Sequence, residues 1–111
     1  MGFIQAAPGL LVSDQFTVSI PHPDPCWVIE NPVGTEVLAS SDFQLLVFST
    51  EELLQSFMKA AEVYVLGGGI GPVRFTWDEL VDKCGEQYTE AIIDHEGKAG
   101  YYQSAPLRKG I

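Results

Sequence analysis

Three consecutive polar residues are the clearest candidates for acid–base chemistry in this chain. Asp94, His95 and Glu96 combine an imidazole with two carboxylates, the groups that most enzymes use to move protons near neutral pH. Such catalysis requires pKa values that are shifted in a cleft from which water is excluded. Because Gly97 follows at once, the sequence predicts a hairpin turn here. We therefore predict that these side chains are solvated turn residues without a catalytic role.

Cysteine chemistry is the second possibility, because a thiolate is a strong nucleophile. The two cysteines, Cys26 and Cys84, are far apart and form no CxxC motif. Cys84 lies on the apolar side of a predicted helix, where a thiol behaves as a small hydrophobic group. A disulfide between the two remains open, as does an undescribed enzyme that uses Cys84 or His95. Since no GxSxG or HExxH motif is present, we predict that the chain is not an enzyme.

Metal and phosphate sites are not indicated by the spacing of the residues that could form them. A zinc site needs three or four ligands, and His22 with Asp24 is one isolated pair. Residues 67–72 read Gly-Gly-Gly-Ile-Gly-Pro, which resembles a phosphate loop at first sight. A dinucleotide fingerprint opens a helix, whereas here a proline and a predicted strand follow. We predict no cofactor and no metal, and we interpret the glycines as a chain reversal.

The charge of the chain restricts its partners. It carries 15 acidic and 6 basic residues, a net charge of −9, and its first 50 residues contain no Lys or Arg. Nucleic-acid affinity depends on Lys and Arg that displace phosphate counterions, so we expect no nucleic-acid partner. Anionic membranes are disfavoured for the same reason. A basic protein or a cationic ligand would instead be attracted.

Hydropathy gives no sign of a membrane-spanning segment. The sequence contains no run of 18 apolar residues. The apolar stretch 2–12 has no preceding basic region of the kind that begins a signal peptide. We therefore predict a cytoplasmic protein.

A seven-residue motif that occurs twice indicates how the chain folds. Phe-Ser-Thr-Glu-Glu-Leu-Leu at 48–54 returns as Phe-Thr-Trp-Asp-Glu-Leu-Val at 75–81. Each copy follows a short apolar run and precedes an apolar stripe with helical spacing. We predict that Ser49 with Glu52, and Thr76 with Glu79, form capping boxes at the starts of two helices. The repeated residues therefore indicate architecture rather than chemistry.

The remaining pattern predicts a single α+β domain over residues 1–111. Residues 1–42 form N-terminal strands and a proline-rich loop, and residues 43–103 form two strand–helix–strand units. We expect a mixed or antiparallel sheet with both helices packed on one face. A closing hairpin near residue 95 would leave 104–111 as a loosely held tail.

Large aromatic residues with a polar atom are the candidates for contacts with a partner or ligand. Such residues often anchor interfaces, because they combine apolar area with a hydrogen-bonding group. The candidates are Trp27, Tyr64, Tyr88, Tyr101 and Tyr102. Because Tyr101 and Tyr102 are adjacent in a predicted strand, one should face outward if the other faces inward.

The repeated motif also resembles that of a known family. With Phe-Ser/Thr-x-Asp/Glu-Glu-Leu on two strand–helix units, and Ala-Ile-Ile-Asp at 91–94 ahead of a glycine turn, residues 43–103 resemble the SseB-like N-terminal domain family. Its members are small bacterial α+β domains without generally assigned catalytic residues. The resemblance implies an interaction or regulatory module.

These observations favour a non-catalytic protein-interaction module. Its partner would be a basic protein or a second copy of the chain in a homodimer, and an inhibitor or immunity protein is the sharper form of this hypothesis. The alternative is a small-ligand-binding domain with an apolar pocket and a few polar groups, near Trp27, Tyr88 and the glycine-rich loop.

Overall fold

The computed structural model describes residues 2–5, 17–31, 36–39, 43–60, 71–96 and 102–109. Two helices and eight strands lie in these ranges. In chain order they are β1 (Gly2–Gln5), β2 (Thr17–Ser19), β3 (Cys26–Glu30), β4 (Glu36–Ala39), β5 (Gln44–Val47), α1 (Glu51–Ala60), β6 (Gly71–Phe75), α2 (Trp77–Cys84), β7 (Glu90–Ile93) and β8 (Tyr102–Pro106).

The eight strands form one mixed sheet in the order β2-β8-β7-β5-β4-β3-β6, with β1 paired to β4 outside this path. Strand β5 runs parallel to β7, β2 runs parallel to β8, and β1 runs parallel to β4. The other pairs are antiparallel. The predicted α+β class and mixed sheet are therefore confirmed.

The two helices lie on opposite faces of this sheet, which corrects the expectation that they share one face. Leu45 and Val47 of β5 pack with Trp77, Leu80 and Cys84 of α2. The alternate β5 residue Leu46 packs instead with Leu54 and Phe57 of α1. All four residues of β5 are buried, because each face of the strand is covered by a different helix.

The start of α1 differs from the predicted one by a single residue. Thr50, not Ser49, caps the helix, because the Leu53 amide donates to Thr50 Oγ1 at 3.2 Å. The Leu54 amide donates to the Thr50 carbonyl, also at 3.2 Å. The prediction that Ser49 is the cap is wrong because the two adjacent hydroxyl residues fit a cap equally well on paper.

The predicted capping box of α2 is confirmed. The Glu79 amide donates to Thr76 Oγ1 at 3.2 Å, and the Thr76 amide donates to Glu79 Oε1 at 2.9 Å. Gly85 ends the helix, but in a right-handed conformation with φ −66° rather than the expected left-handed one. A Cβ at this position would lie 2.6 Å from the Val81 carbonyl oxygen, which explains the glycine.

The C-terminal segment is part of the core, so the expectation of a loose tail from residue 104 is wrong. Strand β8 continues to Pro106, and its residues from Gln103 to Pro106 pair with the whole of β7. Ala105 and Leu107 are buried in the cluster on the α2 face. The sequence did not predict this part of the strand, because Ser-Ala-Pro lacks the β-branched and aromatic residues typical of strands. The predicted strand at 63–66 lies outside the described residues.

Leu107 offers a direct test of this segment. We expect Leu107→Ala to lower the free energy of unfolding by about 2–4 kcal/mol, because it leaves a cavity beside α2. The measurement is chemical denaturation followed by circular dichroism. Arg108→Ala, at the exposed neighbouring position, is the control and should change stability by less than about 0.5 kcal/mol. Equal stability of both variants would contradict the assigned packing.

Candidate functional site

A polar junction joins the carboxyl ends of the parallel strands β5 and β7. The Asp94 carboxylate accepts the Ser49 amide at 2.7 Å and the Ser49 hydroxyl at 2.8 Å, one on each oxygen. The Asp94 amide donates to the Val47 carbonyl at 2.9 Å. Asp94 adopts a left-handed backbone conformation, with φ 55°, which aspartate tolerates better than most residues. The junction therefore ties the end of β5, in the first strand–helix–strand unit, to the end of β7, in the second.

His95 is buried behind this junction, which corrects the expectation of a solvated side chain. Only 3% of it is exposed. Its ring stacks on Tyr102 at 4.5 Å between centroids and meets Phe57 edge-on at 5.3 Å. Histidine is the usual proton acceptor of a serine nucleophile, whereas the Ser49 hydroxyl donates to the Asp94 carboxylate. The described contacts of Ser49 and Asp94 therefore serve to hold the strands together.

Both cysteines are free thiols buried in the apolar cluster between the sheet and α2, which we call the α2-face core. Burial raises the pKa of Cys26 to about 12, and Asp24 acts in the same direction. Burial also raises the pKa of Cys84 to about 11, although nearby Lys83 opposes it. Both thiols are therefore protonated at neutral pH, a state unsuited to nucleophilic attack. The predicted packing of Cys84 on the apolar side of α2 is confirmed.

Metal ligands are not gathered in the part of the chain that the structure describes. No group of three or more His, Cys, Asp or Glu side chains that could hold an ion occurs among these residues. Within the same ranges, neither helix has the length and apolar character needed to cross a membrane.

A groove of about 620 Å³ lies where β2 separates from the end of β8. We call it the β2–β8 groove. Its walls are Ser19, Ile20, Pro21, His22, Ala105 and Pro106. The two strands pair as far as the Ile20 amide, which donates to the Ser104 carbonyl at 2.8 Å. Beyond that bond the proline-rich loop diverges from β8 and leaves the groove open.

One end of the β2–β8 groove is fixed by a stack of two rings. His22 lies parallel to Trp77, with 4.5 Å between the ring centroids and 11° between the planes. The Trp77 indole donates to the Arg108 carbonyl at 3.1 Å, and the Trp77 amide donates to Asp24 Oδ1 at 3.2 Å. The sequence signalled a stiff loop through its prolines, but the contact with Trp77 is non-local and could not be inferred from spacing.

An acidic surface lies along the outer side of α2 and the turn after it. Its members are all exposed to solvent and are Asp78, Glu79, Asp82 and Glu86. We call them the α2 acidic face. Lys83 points instead to the buried Glu30, at 2.6 Å, and lies over the Phe75 ring. Lys109 pairs with Asp82 at 2.5 Å.

The aromatic residues predicted as contacts are placed differently from one another. Tyr88 is fully buried and Tyr102 is 6% exposed, so both belong to the core. Trp27 is half-buried and packs against the apolar cluster between the sheet and α1, which we call the α1-face core. Tyr64 and Tyr101 lie outside the described residues. None of the three described residues lines the β2–β8 groove, which no sequence motif indicated.

Comparison of the chain with protein-family models, with curated proteins and with solved structures finds no match. The resemblance of residues 43–103 to the SseB-like domains therefore stays a prediction.

The β5–β7 junction predicts a graded response to substitution of Asp94. We expect Asp94→Ala to lower the free energy of unfolding by roughly 3 kcal/mol, because the Ser49 amide loses its acceptor and alanine is strained at positive φ. Asp94→Asn keeps one acceptor and should lose about half as much. Asp94→Gly loses the same carboxylate but adopts positive φ without strain, so the difference between the glycine and alanine variants isolates the backbone effect. Urea denaturation measures all three, and wild-type stability of Asp94→Ala would contradict this role.

The buried thiols predict a specific pH dependence. The pKa of each thiol is raised in the folded protein, so an unfolded chain releases these protons first as the pH rises. Stability should therefore be unaffected by the thiols below pH 9 and should fall above it, by about 1.4 kcal/mol per pH unit for each thiol.

The measurement is urea denaturation between pH 8 and 11, and Cys84→Ala is the control that should halve the slope contributed by the thiols. Ellman's reagent should label neither thiol in the native protein at pH 7.5 and both after unfolding. Rapid labelling under native conditions would contradict the burial of the two side chains.

Proposed function

We propose that this protein is a non-catalytic interaction module that binds a basic protein partner through the α2 acidic face. The observation that carries the proposal is the distribution of charge on the described surface. There, eight acidic side chains are exposed and four basic ones. Four of those eight acids form the α2 acidic face.

Ion pairs and hydrogen bonds modify the charge that this surface presents. Lys83 is held by Glu30, which is almost inaccessible, and so contributes little positive charge to the surface. Lys109 is held by Asp82 through a hydrogen bond that raises the pKa of the lysine. Hydrogen bonds from Thr76 lower the pKa of Glu79, which keeps that carboxylate charged at neutral pH. A basic partner is therefore attracted at long range, and its association is accelerated most at low salt.

A small-ligand-binding domain is the second candidate, and the β2–β8 groove favours it. Its volume of about 620 Å³ falls in the range of known ligand sites, and its walls are mainly apolar with two polar side chains. A homodimer is a weaker candidate, because two copies with a net charge of −9 repel each other. Cytoplasmic location and kinship with the SseB-like domains are consistent with the proposal but do not carry it.

Charge reversal on α2 tests the proposed function. The bait proteins are the wild type, the double variant Asp78→Lys/Glu86→Lys, and the matched variant Glu51→Lys/Glu52→Lys on α1. Both variants change the net charge equally. We expect an extract of the source organism to yield a basic partner with the wild type and with the α1 variant, and a loss of at least tenfold in affinity with the α2 variant.

The captured protein is then purified and its binding measured by calorimetry from 25 to 300 mM NaCl. Affinity that falls steeply with salt supports the proposal. A partner that is acidic, that binds independently of salt, or that binds the α2 variant as well as the wild type would contradict it. Light scattering of the free protein reports the homodimer alternative.

A further inference from the structure

We propose that the β2–β8 groove binds an extended basic peptide segment, with an apolar side chain inside the groove and a Lys or Arg beside Asp24. This inference rests on the proposed function and specifies where the basic partner inserts. It follows from the stiffness of the groove, from the composition of its walls and from the charges at its end.

The groove is preorganised by residues with little conformational freedom. Pro21 and Pro106 stand on opposite walls, and the pyrrolidine ring fixes φ in both. Ile20 is anchored in the α2-face core, and Ala105 is buried beside it. A site that does not need to be ordered on binding loses less conformational entropy to its ligand.

The composition of the walls selects the side chain that enters. Ile20, Pro21, Ala105 and Pro106 present apolar surface, and the described residues that line the groove include no carboxylate or ammonium group. Pro21 and Pro106 also lack an amide N–H, so the groove offers few donors for a buried polar group. Burying a charge without a partner is costly, whereas an aliphatic side chain gains about 25 cal/mol for each Å² removed from water.

The charge at the His22 end selects the neighbouring residue of the peptide. Asp24 is exposed two residues after His22, and its carboxylate already faces the first turn of α2 through Trp77. The exposed Asp78 follows Trp77 directly and begins the α2 acidic face. On the opposite side, the exposed Arg108 follows β8. Lys109 lies near Asp78 and pairs with Asp82, so three carboxylates face two cations, an excess of negative charge that favours a cationic side chain here.

The pattern of an extended peptide fits this arrangement. In an extended chain, successive side chains point to opposite sides, so an apolar residue directed into the groove has neighbours directed outward. A segment that alternates basic and apolar residues therefore fills the groove and presents its charges to Asp24 and Asp78. Pairing with the short β2 is not required, since the walls and the charges supply the contacts.

The test uses three acetylated and amidated pentapeptides of defined charge and hydrophobicity. One alternates lysine and leucine, one alternates glutamate and leucine, and one alternates lysine and glycine. Binding is followed by ¹⁵N NMR titration at 50 mM NaCl, and a 1,5-diaminopentane titration supplies the small cation alone. We expect the lysine–leucine peptide to shift the Ser19 and Ile20 amides and the Trp77 indole N–H, at least tenfold more tightly than the other probes.

Substitutions locate the site. Ser19→Arg at the exposed wall of the groove should weaken the lysine–leucine peptide at least tenfold. Gln55→Arg, an equal charge change on the exposed side of α1, should leave its affinity within threefold. Arg108→Gln should strengthen it about two- to threefold. Spectra of the free variants establish that each remains folded.

The outcomes separate this inference from the proposed function. If the lysine–glycine peptide or diaminopentane binds as tightly as the lysine–leucine peptide, or if Ser19→Arg has no effect, the groove assignment is overturned and the acidic interaction module stands. If the glutamate–leucine peptide binds as well as the lysine–leucine peptide, the preference for a basic partner fails. If no probe binds, the groove inference fails, and the capture experiment alone decides the function.

Discussion

Burial of the central strands on both faces is the constraint on which the rest of the structure depends. In β5, the side chains of Leu45 and Leu46 point to opposite faces, and both are fully inaccessible. Ala91 and Ile92 repeat this alternation in the parallel neighbour β7. Since each face must be covered, one helix is needed on each side of the sheet. The described centre of the molecule is thereby filled with apolar residues, and surfaces for recognition are left to the rim.

The polar residues that look most chemical in the sequence serve this constraint. Parallel strands need a long connection, and their carboxyl ends meet where the chain leaves the sheet. Asp94 closes that end by accepting both donors of Ser49, and His95 extends the α1-face core with its ring. An acid, an imidazole and a hydroxyl can thus lie close together and still serve architecture, because their described contacts bind them to one another or to the core.

Sequence patterns predicted elements whose determinants are local. The Thr76–Glu79 capping box follows from spacing over a few residues. The burial of His95 did not follow, because it depends on Phe57 and Tyr102, which are distant in sequence. The helix faces were also unpredictable, since the continuous apolar run of β5 is equally compatible with cover on one face or on both. The β2–β8 groove depends on such non-local contacts as well.

The ion pairs of two lysines link the packing of the fold to the charge of its surface. A buried carboxylate such as Glu30 requires a partner, and Lys83 supplies it while stacking on Phe75. Lys109 ties the C-terminal segment to α2 through Asp82, close to the backbone that receives the Trp77 indole. The first of these contacts withdraws a positive charge from the surface, whereas the second leaves both partners exposed. Architecture and charge asymmetry therefore meet at Glu30, so a substitution that frees Lys83 would alter stability and electrostatic attraction together.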